Sequence, residues 1–559
     1  MELRNSLILS TMQNKTTDYE ERVALGIKGT YGWKEFTYKG LSLLSRKIAR
    51  YLIEDAEIKK GETLAILSES KPEYGSCVFA SVLTGTITVP LDIKLSEYEL
   101  ESILTDCKPT VMLASKHYLE TALKLQKKIP EIKHILLIDE HAASKDEVKN
   151  IYDLPDKYDA IWRQRSSKST ALIIYTSGTT GAPKGVEISF ANVNAQLKDL
   201  MEVVDIILPK KQKINMLSIL PMNHLFEMTV GFSTFLNAGH TVYYTTSLKP
   251  KDISGIMKEK QIQFMIVVPA FLKLLMAGIE KQINTAPLFT RIMFRIMYFC
   301  AQFIPSYKIK KTMFKKIHEG FGGKFFGCIS GGAPLDLEVA RFFETIGIKV
   351  YQGYGLSETS PVVSVNYDRP EKLASVGHPL THFEVKTDEA TGELLLRGPS
   401  VMKGYHNQPE LTAEVIDEDG WLHTGDIARI DKDGHIFITG RIKNMIVLQG
   451  GKKVFPEEVE SVLEKSHYIS EVCVLGTSRS FGSKDGTEEV TAVIVPKAEL
   501  YNTYSEDDVD RMVKVDVKTL SQRLAAYKRP TNIVIRKDGL PKTTTLKVKR
   551  KELQALLKG

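Results

Sequence analysis

No stretch of the sequence holds about 18 consecutive apolar residues, so nothing in it reads as a membrane-spanning helix. Cysteine is scarce: Cys77, Cys107, Cys300, Cys328 and Cys473 are scattered, odd in number, and form no CxxC pair. That pattern excludes a disulfide framework, offers no Cys/His spacing for structural zinc, and fits free thiols in a reducing cytoplasm. A Walker A loop is absent, which argues against a conventional P-loop ATPase, and no GxSxG elbow supplies a serine nucleophile. Residues Met1 to Asn14 lack a basic start, a sustained apolar core and a small-residue cleavage site, so no signal peptide is expected. Nucleic-acid motifs are missing too. A net charge of +7 is too weak to imply nucleic acid, though it suits anionic substrates or anionic lipid.

What is present is a chain of 559 residues, 43% hydrophobic and 26% charged, the balance of a globular protein with more than one domain. Short apolar runs alternate with helical patterns. Phe36–Tyr38 precedes Leu41, Leu44, Ile48, Tyr51 and Leu52, spaced as one face of a helix. Leu64–Leu67, Ala171–Tyr175, Asn215–Leu220, Phe264–Val268 and Lys349–Gln352 read as buried strands. Strands separated by helices predict an α/β protein with parallel sheets. After about Thr381 short strands and turns follow, at Phe383–Lys386, Glu393–Arg397, Ala428–Asp431 and His435–Thr439. These predict a β-rich subdomain closing a large N-terminal domain, residues 1–440. Residues 441–559 are expected to form a small α+β domain, with a helix near Pro456–Lys465 and strands near Val472–Leu475 and Val490–Val495.

The most informative segment is Tyr175-Thr-Ser-Gly-Thr-Thr-Gly-Ala-Pro-Lys-Gly185, directly after an expected strand. Its glycines let backbone amides approach an anion, its hydroxyls can donate to phosphate oxygens, and Lys184 adds positive charge. A flexible surface loop is the bland alternative, and this string is too particular for it. The string resembles the signature of the adenylate-forming superfamily: acyl-CoA synthetases, peptide-synthetase adenylation domains and luciferases. In that family the loop handles the β- and γ-phosphates of ATP, which points to Thr176, Ser177, Gly178, Thr179, Thr180 and Lys184.

Further motifs follow in the family's order. Leu220-Pro-Met-Asn-His-Leu-Phe-Glu227 resembles the segment whose histidine, here His224, lies near the acyl pocket. Ser330-Gly-Gly-Ala-Pro-Leu335 resembles a turn lining the adenine and acyl pockets through Gly331, Gly332, Ala333 and Pro334. In Gln352-Gly-Tyr-Gly-Leu-Ser-Glu-Thr359, Tyr354 can stack on adenine, with Gln352, Gly353 and Gly355 beside it. Ser357 can donate to the α-phosphate, and Glu358, with Thr176, can hold Mg²⁺. Asp426, in Gly420-Trp-Leu-His-Thr-Gly-Asp, matches the aspartate that accepts both ribose hydroxyls. Arg441 is placed for ribose or phosphate, and Lys443 where the family pivots. Gly450, Gly451 and Lys452 match the thiol-acceptor tunnel, where Lys452 and Lys453 face coenzyme A phosphates or, on the bland reading, only solvent. Lys547, in Leu540-Pro-Lys-Thr-Thr-Thr-Leu-Lys-Val-Lys549, matches the catalytic lysine. Its neighbours Lys542 and Lys549 are read as solvated.

Four positions depart from the family pattern. Phe190 stands where histidine is usual, Leu546 where glycine precedes the catalytic lysine, Lys452-Lys453 replaces Glu-Asn, and Ser357 replaces threonine. None removes a charged group assigned to adenylation. The resemblance implies a fatty acid–CoA ligase that uses ATP, Mg²⁺ and coenzyme A. Rivals are an acyl-AMP ligase that delivers its acyl group to an acyl carrier protein, and a non-catalytic lipid-binding scaffold. No carrier attachment motif is evident, and the chain ends soon after Lys547.

Residues 291–324 stand apart. Arg291, Arg295, Lys308, Lys310, Lys311, Lys315, Lys316 and Lys324 face a single acid, Glu319, with Phe294, Tyr298, Phe299, Phe303, Tyr307 and Phe314 interleaved. Two readings stay open: a peripheral contact with anionic membrane, or a helix packed on the large domain with a solvated basic face. A similar insertion occurs in long-chain fatty acyl-CoA synthetases, which favours a medium- to long-chain acid. Oligomeric state leaves no trace in the sequence.

Overall fold

The computed structural model describes residues 20–29, 32–140, 148–159, 162–163, 165–176, 183–209, 212–367, 372–448, 452–478, 488–542 and 548–557. Contacts divide the chain into two units: residues 1–384 with 396–422, and residues 385–395 with 423–559. The chain crosses between the units at 384/385, 395/396 and 422/423, because the strands Glu393–Arg397, Leu422–Ile430 and Ile436–Arg441 share one four-stranded sheet.

The α/β expectation holds for the larger unit. A nine-stranded sheet has at its centre the parallel strands Lys349–Tyr354, Gly327–Ser330, Phe264–Val267 and Asn215–Ser218, in that spatial order. An eight-stranded sheet runs from Gly404–Tyr405 through Lys184–Ser189 and Thr170–Thr176 to Ile87–Pro90 and Thr63–Leu67. Neither sheet is purely parallel. Lys184–Ser189 returns antiparallel beside Thr170–Thr176, because the loop between them is too short for a crossover helix. Central strands such as Thr63–Leu67 are buried at every position, so they read as continuous apolar runs without alternation. Helix Tyr38–Glu54 starts at the Thr37 cap and turns Leu41, Ile48 and Leu52 inward, the face given by the heptad-like spacing.

The C-terminal unit packs helices Pro456–Leu463 and Glu506–Ser521 on a three-stranded sheet of Ile469–Ser478, Glu488–Pro496 and Asn532–Ile535. Val474, Ile494, Val509 and Val513 meet in its core.

Inside the larger unit one helix fastens three distant segments. Helix Phe190–Ile207 opens with a capping box, in which Ser189 and Asn192 satisfy each other's backbone amides. The Asn192 side-chain amide then donates to the carbonyls of Pro399 and Val401, at 2.7 and 2.8 Å. One turn on, the buried Gln196 accepts from the Val362 amide at 3.0 Å. Phe190, at the family's histidine position, is buried. Asn192→Asp keeps the cap acceptor and removes both donors to the 399–401 segment. It is expected to lower the stability of the large unit by about 2 kcal/mol, the cost of stranded buried carbonyls, in urea unfolding followed by intrinsic fluorescence. Asn192→Ser, which retains only the cap, is expected to fall equally far.

Candidate functional site

The motif-bearing loops leave the C-terminal ends of parallel strands, where ligands collect in open α/β sheets. The phosphate loop follows Thr170–Thr176, the Ser330–Pro334 turn follows Gly327–Ser330, and the Leu356–Thr359 turn follows Lys349–Tyr354. Register places Ser330 beside Gln352 and Val267 beside Ser330, so two motifs far apart in sequence start from neighbouring strand ends. The His224 segment joins them, since a Cβ on Gly331 would lie 2.8 Å from the Phe226 ring. His224 itself is half-buried in the turn before a π-helical segment, Glu227–Thr234. Gly332 takes a left-handed φ of +81°. Ala333 is half-buried and Pro334 exposed.

Gly355 admits no side chain, because a Cβ would sit 1.9 Å from the Pro361 carbonyl oxygen. That close approach turns the chain so that Ser357 and Glu358 occupy a short 3-10 turn, both half-buried. Tyr354 and Gly353 end the preceding strand.

Around Glu358 the two sheets meet. Its carbonyl accepts from the Met402 amide at 2.8 Å, and its carboxylate Oε1 accepts from the Tyr405 hydroxyl at 2.9 Å. Tyr405 pairs with Val186 on the strand that Lys184 begins, and Lys184 Nζ lies 5.4 Å from the Tyr405 ring centroid. Thr176 is opposite Lys184 in the strand pair. Thr176, Lys184 and Glu358 are therefore linked through Tyr405. Burial, and then the charge of Glu358, push the Tyr405 phenol up, which keeps it a donor.

A second group braces this one. Asp106 accepts from Tyr175 at 2.6 Å and from Asn407 at 3.0 Å. Glu187 accepts from Thr170 at 2.7 Å and Lys403 at 3.0 Å, and pairs with His406 at 2.7 Å. The hydrogen bond from His406 holds the Glu187 carboxyl down, at about 2, and raises His406 in turn. Tyr405 and Asp106 escape the sequence reading. The Gly404-Tyr405 pair is the only local trace, and it stands 47 positions from Glu358.

In the smaller unit Asp426 is buried and faces Arg441 across adjacent strands, with Nε 2.5 Å from the carboxylate. The two residues expected near ribose are thus together. Lys443 is exposed in the 3-10 turn Ile442–Asn444. Lys452 lies 5.0 Å from the Tyr527 ring, and Lys453 is exposed. Lys542, expected as solvated, is held by Glu471 at 2.5 Å, while Lys549 reaches Glu552 at 3.4 Å. Ser177, Gly178, Thr179, Thr180, Gly450, Gly451 and Lys547 lie outside the described residues.

Comparison with known proteins bears on this arrangement. A model of the family described as AMP-binding enzyme matches residues 12–406, and one for the AMP-binding enzyme C-terminal domain matches 458–547. The long-chain-fatty-acid–CoA ligase of Salmonella typhimurium is 27% identical over 595 aligned positions, covering all of this chain and 95% of that one. The long-chain-fatty-acid–CoA ligase ACSBG1 of Homo sapiens is 28% identical, covering 83% of this chain and 68% of that one. Among solved structures, an ATP-bound RpMatB–BxBclM chimera superposes with a TM-score of 0.78 at 24% identity, covering 99% of both chains. An anthranilate CoA ligase bound to anthranoyl-AMP gives 0.78 at 21% identity, over 99% of this chain and 97% of that one.

One buried acid ends the His224 segment. Glu227 is fully enclosed, with Ser218 donating to its carboxyl, and burial raises its pKa to about 8. The folded protein therefore prefers the neutral acid, whereas the unfolded chain ionises near 4.5. The resulting stabilisation is complete below 4.5 and is lost as pH rises towards about 8. Wild type should lose about 1.4 kcal/mol per pH unit across that window relative to Glu227→Gln. Urea midpoints of the two proteins over a pH series check this; parallel curves would show that Glu227 does not titrate there.

Proposed function

Because the chain belongs to the AMP-binding enzymes, and is an AMP-forming acid–thiol ligase working on ATP and coenzyme A, we propose that its acid is a medium- to long-chain fatty acid. The reaction makes acyl-AMP and pyrophosphate, then transfers the acyl group to coenzyme A and releases AMP. The observation that carries the fatty-acid reading is a relative named for that activity that aligns with the whole chain. Fold similarity does not choose the acid, since neighbours of the same fold are titled for anthranilate and o-succinylbenzoate.

The residues divide the work as follows. A free carboxylate is a poor acyl donor because its leaving group would be oxide. In the first step it attacks the α-phosphorus of ATP, and pyrophosphate departs. Thr176, Ser177, Gly178, Thr179, Thr180 and Lys184 hold the leaving phosphates, and Ser357 donates to the α-phosphate. The described donors suit Mg²⁺, being hard oxygens: the Glu358 carboxylate, oriented by Tyr405, and the Thr176 hydroxyl. Bound there, the ion neutralises phosphate charge. Tyr354 stacks on adenine between Gln352, Gly353 and Gly355 and the turn Gly331–Pro334, and His224 borders the acyl chain. Arg441 orients the Asp426 carboxylate as the acceptor for ribose hydroxyls. Lys547 stabilises charge developing in the adenylation transition state. In the second step the thiol attacks the acyl carbonyl and AMP leaves. Residues 441–559 turn about Lys443, withdrawing Lys547 and presenting Gly450, Gly451 and Lys452 to coenzyme A.

The purified protein is to be incubated with ATP, Mg²⁺ and fatty acids of graded length, with and without coenzyme A, and its products read by mass spectrometry. Acyl-CoA formed only when coenzyme A is present is the expected result, and it ranks the chain lengths. Acyl-AMP that accumulates regardless of coenzyme A moves the acceptor to a carrier protein. No product from a folded sample overturns the fatty-acid reading. Lys547→Ala is expected to slow adenylation by about 10²- to 10³-fold, as when an oxyanion donor is lost, with thioester formation from supplied acyl-AMP largely kept. Equal loss in both half-reactions would count against that role. Tyr405→Phe should raise the Mg²⁺ needed for half-maximal rate by about tenfold or more, leaving the KM for the acid unchanged.

A further inference from the structure

Helix Leu288–Ala301, with sequence LFTRIMFRIMYFCA, buries only Ala301. Its inner side rests on the large unit through aromatic pairs, Phe294 with Phe314 and Tyr298 with Phe342, at 5.7 and 5.9 Å between ring centroids. The outer side turns apolar groups to solvent. Leu288 is 67% exposed, Phe289 76% and Phe299 62%, and Phe303, just past the helix, 74%. Ile292 and Ile296 stand between them, also exposed. A contiguous exposed face of this kind marks an interaction site.

Charge decides what it meets. Residues 269–324 carry ten Lys and Arg and two Glu, a net of +8. The whole chain carries +7, so every other residue together sums to −1. Arg291 and Arg295 border the apolar face, and Lys308 and Lys316 on the following helices are exposed. A second copy would have to bring +8 against +8 across a two-fold interface, which like charges oppose. An anionic bilayer satisfies both features: cations meet lipid phosphates, and aromatic and aliphatic side chains enter the interface. No helix among the described residues is long and apolar enough to cross a membrane, so the segment lies on the surface.

We propose that the face of Leu288, Phe289, Ile292, Ile296, Phe299 and Phe303, with Arg291 and Arg295, docks the protein on anionic lipid bilayers. It combines the two readings that the sequence left open for residues 291–324: one side of the helix packs on the large unit, and the other is offered to lipid.

The full chain is to be sedimented with vesicles of phosphatidylcholine alone and of phosphatidylcholine mixed with phosphatidylglycerol, without ATP or acid, so the result is independent of the ligase reading. Binding to the mixed vesicles that weakens as salt rises is expected. Arg291→Gln and Arg295→Gln should each weaken it by about fivefold. A Phe289→Ser, Phe299→Ser, Phe303→Ser variant, confirmed by its melting curve to be folded, should lose about tenfold or more at every salt concentration. Absence of binding, equal binding to both vesicle types, or variants that bind like wild type would each overturn the proposal. So would a lipid-free dimer in sedimentation velocity that the aromatic variant dissociates, since the face would then serve self-association.

Discussion

The architecture of the large unit depends on what the first two turns of helix Phe190–Ile207 hold. Asn192 and Gln196 lie one turn apart on one face, and their amides satisfy backbone groups at 399, 401 and 362. Buried carbonyls and amides must find partners, each stranded one costing about 1–3 kcal/mol. In irregular segments no strand supplies them, so side-chain amides do. The consequence is positional. The 399–401 segment is fixed, Met402 reaches the Glu358 carbonyl, and Gly404–Tyr405 adds to the edge of the eight-stranded sheet. A strap from one sheet is thereby tied to a turn from the other.

That strap gives Glu358 its surroundings. The Tyr405 hydroxyl, donating at 2.9 Å, fixes the direction in which the Glu358 carboxylate points. Burial makes Tyr405 a firm donor, since it resists losing its proton. Glu187 shows the same economy on the other side of the strand. Three donors, from His406, Thr170 and Lys403, hold one carboxylate and so lock the strap residues 403 and 406 to the sheet. Polar networks of this kind rigidify when every member is satisfied.

Much of this was legible in the sequence, for identifiable reasons. Buried strands such as Thr63–Leu67 show as unbroken apolar runs. Motif order singled out Glu358, Tyr354 and Gly331, and the structure sets the Ser330–Pro334 and Leu356–Thr359 turns at neighbouring strand ends. Residues that act by long-range pairing were not legible. Tyr405 and Asp106 have no unusual neighbours, and their roles arise only when strands Gly404–Tyr405 and Lys184–Ser189 come together. Lys542 is exposed as expected, but its surface pairing with Glu471, 71 positions away, had no local trace. The two-unit division was hidden for a similar reason, as strands at 393 and 422 join a sheet completed by Ile436–Arg441. The Phe294 and Tyr298 packing also resolved an ambiguity of pattern, because an amphipathic helix does not declare from sequence which of its faces is covered.

The distribution of charge supports separate recognition of nucleotide and surroundings. A site for a polyanion is commonly sought in a protein's basic excess, yet here the excess lies in residues 269–324, away from the phosphate-loop and Glu358 motifs in sequence. Of the residues expected near the nucleotide, Arg441 answers Asp426, and in the neighbouring sheet Lys403 answers Glu187. A paired cation suits a catalyst that must release its products in every turnover, since an uncompensated one would hold product as firmly as substrate. Binding strength then comes from directed hydrogen bonds and backbone amides, which discriminate by geometry, while a long-range field is left to the surface that carries the surplus.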